Sequence, residues 1–226
     1  VGLIFKMIKE FLNEKREEHI PSGKFAISGI GGCWRKKYLQ LKGEYDEEYS
    51  EETKRIFEFG DVIHRQITRE LIEKENGNFH LISSEVNIPP QKYISGRIDN
   101  IISIKGEKII IDVKSAGDWT FRNVINNGDC DENYKNQVLL YMHFSNIHKG
   151  FLLFVGKTAG KLEEIEVVYD EKKANQLVKE IEDFFHNYVE KDICPEKCDG
   201  NKWGCACCGI RKARPFNNRG KNEWKE

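Results

Sequence analysis

Three consecutive isoleucines, Ile109-Ile110-Ile111, closed by Asp112-Val113-Lys114, constrain the chain more than any other segment. Side chains of a strand alternate between the two faces of a sheet, so an unbroken apolar run demands cover on both faces. Helices supply such cover, and the implied class is α/β, a mixed central sheet flanked by helices. Asp112 and Lys114 are two residues apart and therefore share a face. A carboxylate and an ammonium ending a buried strand need a partner or a ligand, because charge is costly to bury alone.

The neighbouring segments supply a second carboxylate. Lys105-Gly106-Glu107 reads as a tight turn, which predicts a hairpin between a strand over Tyr93 to Ile104 and one over Lys108 to Lys114. In that hairpin Asp99, in Ser95-Gly96-Arg97-Ile98-Asp99, can lie beside Asp112 on the adjacent strand. Two carboxylates and an amine at one spot are what phosphodiester hydrolysis needs. The carboxylates hold Mg²⁺ or Mn²⁺, which polarises phosphate and acidifies water, and the lysine orients or deprotonates that water.

The rest of the pattern builds the frame. Apolar and charged residues recur at helical spacing over 3–18, and a second helix is expected over Gly32 to Lys42. A longer helix begins after Ser50, whose hydroxyl can cap it, with Glu51 and Glu52 at its positive end. Ile56, Gly60, His64, Ile67 and Leu71 fall on one face of that helix, and Asn76-Gly77-Asn78 ends it. Strands are expected over Leu81 to Ile88, stopped by Pro89-Pro90, and over Phe151 to Val155 and Leu162 to Val168. Helices are expected over Asp131 to Phe144 and Glu171 to Val189. Three regions result: a helical region over 1–48, a core over 49–190 and a cysteine-rich segment with a basic tail over 191–226.

Charge and hydropathy limit the partners. The 36 basic residues nearly balance 37 acidic ones, so no global positive field advertises nucleic acid. Local patches differ: Arg35-Lys36-Lys37 and the tail's Arg211, Lys212, Arg214, Arg219, Lys221 and Lys225 are either solvated charge or a phosphate-gripping groove. No apolar run approaches the roughly 18 residues of a membrane span, and the opening residues do not resemble a secretory signal, so a cytoplasmic protein is expected. Cys33 and Cys130 stand apart, whereas Cys194, Cys198, Cys205, Cys207 and Cys208 crowd into fifteen positions. That distribution suits a metal site in a reducing compartment better than a disulfide scaffold.

SGRIDNIISI, IIIDVKS and NQVLLY together resemble the PD-(D/E)XK nuclease core, with its restriction-endonuclease-like fold. They are most similar to the iron–sulfur RecB-type and AddB-type nucleases, the CRISPR-associated "Cas four" family and stand-alone phage or viral nucleases. The resemblance implies metal ligands at His64, Asp99, Asp112 and the Val113 carbonyl, with Lys114 as the catalytic lysine. It matches Gln137 and Tyr141, one helical turn apart, to a motif supporting the site and the DNA backbone. It implies exonuclease action on single-stranded DNA ends, beside CRISPR integrase proteins or in phage or viral recombination. Each side chain also has an ordinary alternative: a core histidine at His64, polar packing at Gln137, a helix-face aromatic at Tyr141, and a solvent-facing Glu85. Trp34 and Trp119 are candidates for base stacking or for core packing.

The iron–sulfur members of this family carry one upstream cysteine and three near the C-terminus. Cys33, in SGIGGCWRKKY, resembles the upstream one. The downstream run, CPEKCDGNKWGCACC, departs from the family spacing, since Arg214 stands where a last cysteine is expected. The resemblance therefore implies a cluster of the 4Fe–4S kind on Cys33, Cys198, Cys205 and Cys208, with Cys194 and Cys207 as substitutes. Tetrahedral Zn²⁺ on Cys194, Cys198, Cys205 and Cys208 is the alternative. A non-catalytic DNA-binding module and a zinc-binding interaction protein are the rival functions.

Overall fold

The computed structural model describes residues 22–45 and 49–196. Two short strands, β1 (Phe25–Ala26) and β3 (Ile94–Ser95), pair in parallel beside the main sheet. That sheet has five strands: β2 (Phe79–Asn87), β4 (Arg97–Ile104), β5 (Glu107–Ala116), β6 (Lys149–Gly156) and β7 (Leu162–Val168). They lie in the order β2-β4-β5-β6-β7, antiparallel throughout except for the parallel pair β5–β6. A parallel pair needs a crossover, and α3 (Asp118–Asn127) and α4 (Glu132–Ser145) provide it. The sheet is mixed, as the sequence predicts.

Both faces of β5 are covered. On one, α2 (Glu51–Glu73) sets Ile63, Ile67 and Leu71 against Ile111, Val113, Leu153 and Val155. On the other, α4 and α5 (Glu171–Phe184) pack with Ile110, Leu152, Phe154, Ile165 and Val167 in the main core. Ile109, Ile110 and Val113 are each no more than 3% exposed, which is the two-sided burial the isoleucine run requires. The hairpin turn has positive φ at both Lys105 (51°) and Gly106 (87°), the backbone twist that matches paired strands.

Several expected elements recur with shifted ends. Helix α1 spans Trp34–Leu41, and Ser50 caps α2 by accepting from the Thr53 N–H. Strand β7 has the expected bounds, and Asp131 caps α4 through the Asn133 N–H. The expected strand over Tyr93 to Ile104 is broken at Gly96, where a Cβ would sit 2.8 Å from Ile27 Cδ1 and 2.9 Å from Tyr141 Cε1. The backbone passes so close to both side chains that only glycine fits. The last helix changes at Phe185 to a wider turn over Phe185–Val189. Ile56 is half exposed, and among the described residues α2 packs on the sheet through Ile63, Ile67 and Leu71. The expected helix over 3–18 lies outside the described residues.

The two ends of the described chain meet at α1. Trp34 stacks on Phe184 at 4.8 Å and lies 5.4 Å from Phe25, so it is core and not a base platform. Tyr38 Oη donates to Asp192, Lys42 Nζ sits 2.6 Å from the same carboxylate, and Arg35 donates to the Pro195 carbonyl. Among the described residues no helix is long and apolar enough to cross a membrane.

Candidate active site

β4 and β5 diverge at the end of the hairpin away from its turn. Their last paired residues are Asn100 and Ile111, while β4 stays paired with β2 as far back as Arg97, beyond which Gly96 leads to β3. Two residues beyond Ile111, the N–H of Val113 has no paired β4 residue to meet and donates to Asp99 Oδ2 at 2.8 Å. Asp99 thus fills the fork between the strands and lies alongside Asp112 and Lys114.

Each side of the sheet contributes to that fork. From α2, His64 Nδ1 comes within 3.3 Å of Asp99 Oδ2. From β5, Lys114 Nζ lies 2.8 Å from Asp112 Oδ2 and donates to Gln137 Oε1 at 2.9 Å. From α4, Gln137 Nε2 donates to Asp112 Oδ1 at 3.3 Å and to Tyr141 Oη at 3.0 Å. His64, Asp99, Asp112, Lys114, Gln137 and Tyr141 all line one cavity of about 800 Å³. The side chains singled out at the hairpin, on the long helix and in the Q-x-x-x-Y pattern therefore converge, and Val113 sits among them with its N–H held by Asp99.

Burial sets the electrostatics. Asp112 is 1% exposed, and this desolvation pushes its carboxyl up to about 6, reinforced by Asp99 and opposed by Lys114. The hydrogen bond to Asp99 is the largest influence on His64 and lifts its imidazole above the ordinary value, against partial burial. Burial raises the Tyr141 phenol far above the ordinary tyrosine range, so it stays protonated and can donate.

The donor set fits a hard or borderline divalent ion in kind: two carboxylates, an imidazole and a nearby backbone carbonyl. Asp112 Oδ2 is buried without a well-aligned hydrogen bond, an unsatisfied acceptor facing Lys114. In arrangement the groups are paired off, Asp112 with Lys114 and Asp99 with His64. Among the described residues no three His, Cys, Asp or Glu side chains are set to hold a metal ion.

Residues not singled out from the sequence also reach the site. Arg97 lines the cavity and pairs through Nε with Glu85 at 2.6 Å, so Glu85 touches the rim through Arg97. Glu85 holds a positive φ of 54° within β2. Lys24 and Ser28 line the same cavity. Tyr134 places its ring 5.1 Å from Lys114 Nζ; its spacing before Gln137 and Tyr141 on α4 was the available signal. Trp119 is 77% exposed at the start of α3.

Among the cysteines, Cys33 is the N-cap residue of α1, and Cys33 and Cys194 are both half-buried. Burial pushes the Cys130 thiol up to about 11, as befits an unreactive side chain. Cys198, Cys205, Cys207 and Cys208, with the basic tail, lie outside the described residues.

No protein-family model matches this chain, and no curated protein matches it. Solved structures do. The crystal structure of SSO0001 is 21% identical with a TM-score of 0.51, covering 85% of this chain and 93% of that one. The alkaline exonuclease LHK-Exo from Laribacter hongkongensis is 15% identical with a TM-score of 0.58, covering 75% of this chain and 89% of its own. The same enzyme in complex with dAMP is matched over the same shares with a TM-score of 0.58. At these identities the likeness is one of architecture: this chain shares its fold with an alkaline exonuclease.

Proposed function

We propose that this chain is a metal-dependent deoxyribonuclease that hydrolyses phosphodiesters from single-stranded DNA ends. One observation carries the reading: His64, Asp99, Asp112 and Lys114 line a single cavity at the fork between β4 and β5. His64, Asp99, Asp112 and the Val113 carbonyl would hold Mg²⁺ or Mn²⁺, which polarises phosphate and acidifies water when bound.

The protein's own groups do the rest. Lys114 carries a positive charge to the scissile phosphate and orients the attacking water. Gln137 holds the lysine through Oε1 and Asp112 through Nε2, so one amide fixes the spacing of both. Tyr141 braces that amide from the next turn of α4. For Asp112 to become a ligand, Lys114 must yield Oδ2 while keeping Gln137. Exonuclease action is supported by the shared fold with LHK-Exo, described as an alkaline exonuclease and solved with dAMP. Its setting is CRISPR spacer acquisition beside integrase proteins, or phage or viral recombination, and neighbouring genes decide between them.

An iron–sulfur cluster of the 4Fe–4S kind on Cys33, Cys198, Cys205 and Cys208 is part of the same proposal, with Cys194 and Cys207 as substitutes. It is supported by the contacts of Arg35, Tyr38 and Lys42 with Val189, Asp192 and Pro195, which bring α1, with Cys33 at its N-cap, to the segment that precedes the cysteine run in sequence.

The test is end-labelled single- and double-stranded DNA incubated with Mg²⁺, Mn²⁺ or EDTA. Metal-dependent release of mononucleotides, faster from single strands, is expected. Absence of degradation with either metal, or degradation indifferent to EDTA, refutes the reading.

A further inference from the structure

Lysine offers three N–H donors, and the Lys114 ammonium faces three acceptors. One is a hydrogen-bond acceptor, Gln137 Oε1 at 2.9 Å, and the second is an ion-pair partner, Asp112 Oδ2 at 2.8 Å. The third is the face of an aromatic ring, with Nζ 5.1 Å from the centroid of Tyr134. Tyr134 lies three residues before Gln137 on α4, so both project toward β5 from one side of the helix. Its ring packs edge-on to Phe154 at 6.0 Å, which fixes the plane presented to the ammonium. The Lys114 side chain is only 19% exposed, so water does little to compete for the charge.

We propose that Tyr134 is a positioning residue for the reaction, holding the Lys114 ammonium in place once Asp112 is given over to the metal. The proposal rests on the nuclease reading above. Losing Asp112 removes the lysine's one anionic partner among the described residues, and a single amide oxygen leaves a four-carbon stem free to swing. The negative face of the ring adds a second fixed attraction that no divalent ion takes away, because a π face does not compete for Mg²⁺ as a carboxylate does. The ring therefore does its work in the loaded site, where the lysine has to meet phosphate.

The test uses the full chain and single-strand turnover with Mn²⁺. Residue 134 is replaced by phenylalanine, then by mono-, di- and trifluorophenylalanine, and finally by leucine. Fluorine withdraws charge from the ring face while nearly preserving shape, so packing is held and only the cation–π attraction changes. We expect kcat to fall stepwise along the series, reaching about tenfold below the parent, equivalent to roughly 1.4 kcal/mol, with KM unchanged. A flat fluorine series overturns the proposal even if Tyr134→Leu misfolds. Lys114→Ala, assayed alongside, separates the two readings. If it retains turnover, the assignment of the site has failed; if it is inactive while the fluorine series is flat, only the role of Tyr134 has.

Discussion

Thr68 on α2 donates to the Oδ1 of Asn100 on β4 at 2.9 Å, one helical turn beyond His64 and one residue beyond Asp99. The two adjacent contacts, Thr68 with Asn100 and His64 with Asp99, fasten the long helix to the strand where the hairpin forks. Asn100 is 1% exposed and its Nδ2 already lacks a hydrogen-bond partner, so Oδ1 is the amide's remaining compensation for burial. Thr68→Val keeps the shape and removes the donor. Leaving the amide unsatisfied should lower unfolding free energy by about 1–3 kcal/mol in denaturant titrations. A loss below about 0.5 kcal/mol would mean that packing alone seats the helix.

The hydrolytic role of the fork is tested by removing its charges one at a time. Asp99→Ala and Lys114→Ala should each cut metal-dependent DNA degradation by roughly 10²–10⁴-fold while circular dichroism stays unchanged. Asp99 also receives the Val113 N–H, so Asp99→Asn is the companion that retains an acceptor there while deleting the charge. Degradation undiminished in both Asp99→Ala and Lys114→Ala removes these residues from the chemistry.

Much of this site was legible before any coordinates. The shared face of Asp112 and Lys114 and the one-turn spacing of Gln137 and Tyr141 follow from periodicities that local sequence displays, whereas the order of the motifs is read from the resemblance to a nuclease core. The fork was not legible, because it depends on where β4 leaves β5. Near it the backbone passes at Gly96 close to Ile27 and Tyr141, side chains remote in sequence from each other, so the path of the strand depends on contacts that local pattern does not display. Helix α3 was missed for a related reason: only Phe121 and Val124 of its ten residues are buried, too short a stripe to announce a helix. The pairing-off of Lys114 with Asp112 and of His64 with Asp99 was equally hidden, since spacing says which groups meet but not which of them satisfy one another first.

That pairing has a pH consequence in metal-free protein. Asp112, raised from its ordinary range to about 6, binds its proton more tightly folded than unfolded. His64, raised by Asp99, does the same in its own range. For both, stabilisation is complete below the unfolded value and is lost as pH rises through the folded one. The melting temperature of metal-free protein should therefore fall from about pH 4 to pH 6 as Asp112 titrates and continue to fall above the ordinary histidine value as His64 does, and Asp112→Asn should flatten the lower part of that slope. The acidic groups lowered by surface pairing, Asp129, Glu132, Glu190 and Asp192, act in the opposite sense and at lower pH. A divalent ion needs both sites deprotonated, so Mn²⁺ affinity measured by electron paramagnetic resonance should rise across the same window. Affinity independent of pH would place the ion elsewhere.

The clasp at α1 makes the cysteine proposal open to direct test. Tyr38 and Lys42 hold Asp192, and Arg35 holds the Pro195 carbonyl, so the segment entering the cysteine run is anchored to α1 by side-chain contacts. A cluster completed by Cys33 would then add to an existing junction without having to create it. Protein purified without oxygen should be brown and carry about four iron and four sulfide per chain. Cys33→Ser should bleach it and strip the iron, yet leave the secondary structure largely in place because the α1 contacts survive. Colourless wild-type protein with one equivalent of zinc would instead assign the thiolates to a tetrahedral site. Global unfolding of Cys33→Ser would show that the cluster, and not the contacts of Tyr38 and Lys42, holds the ends together.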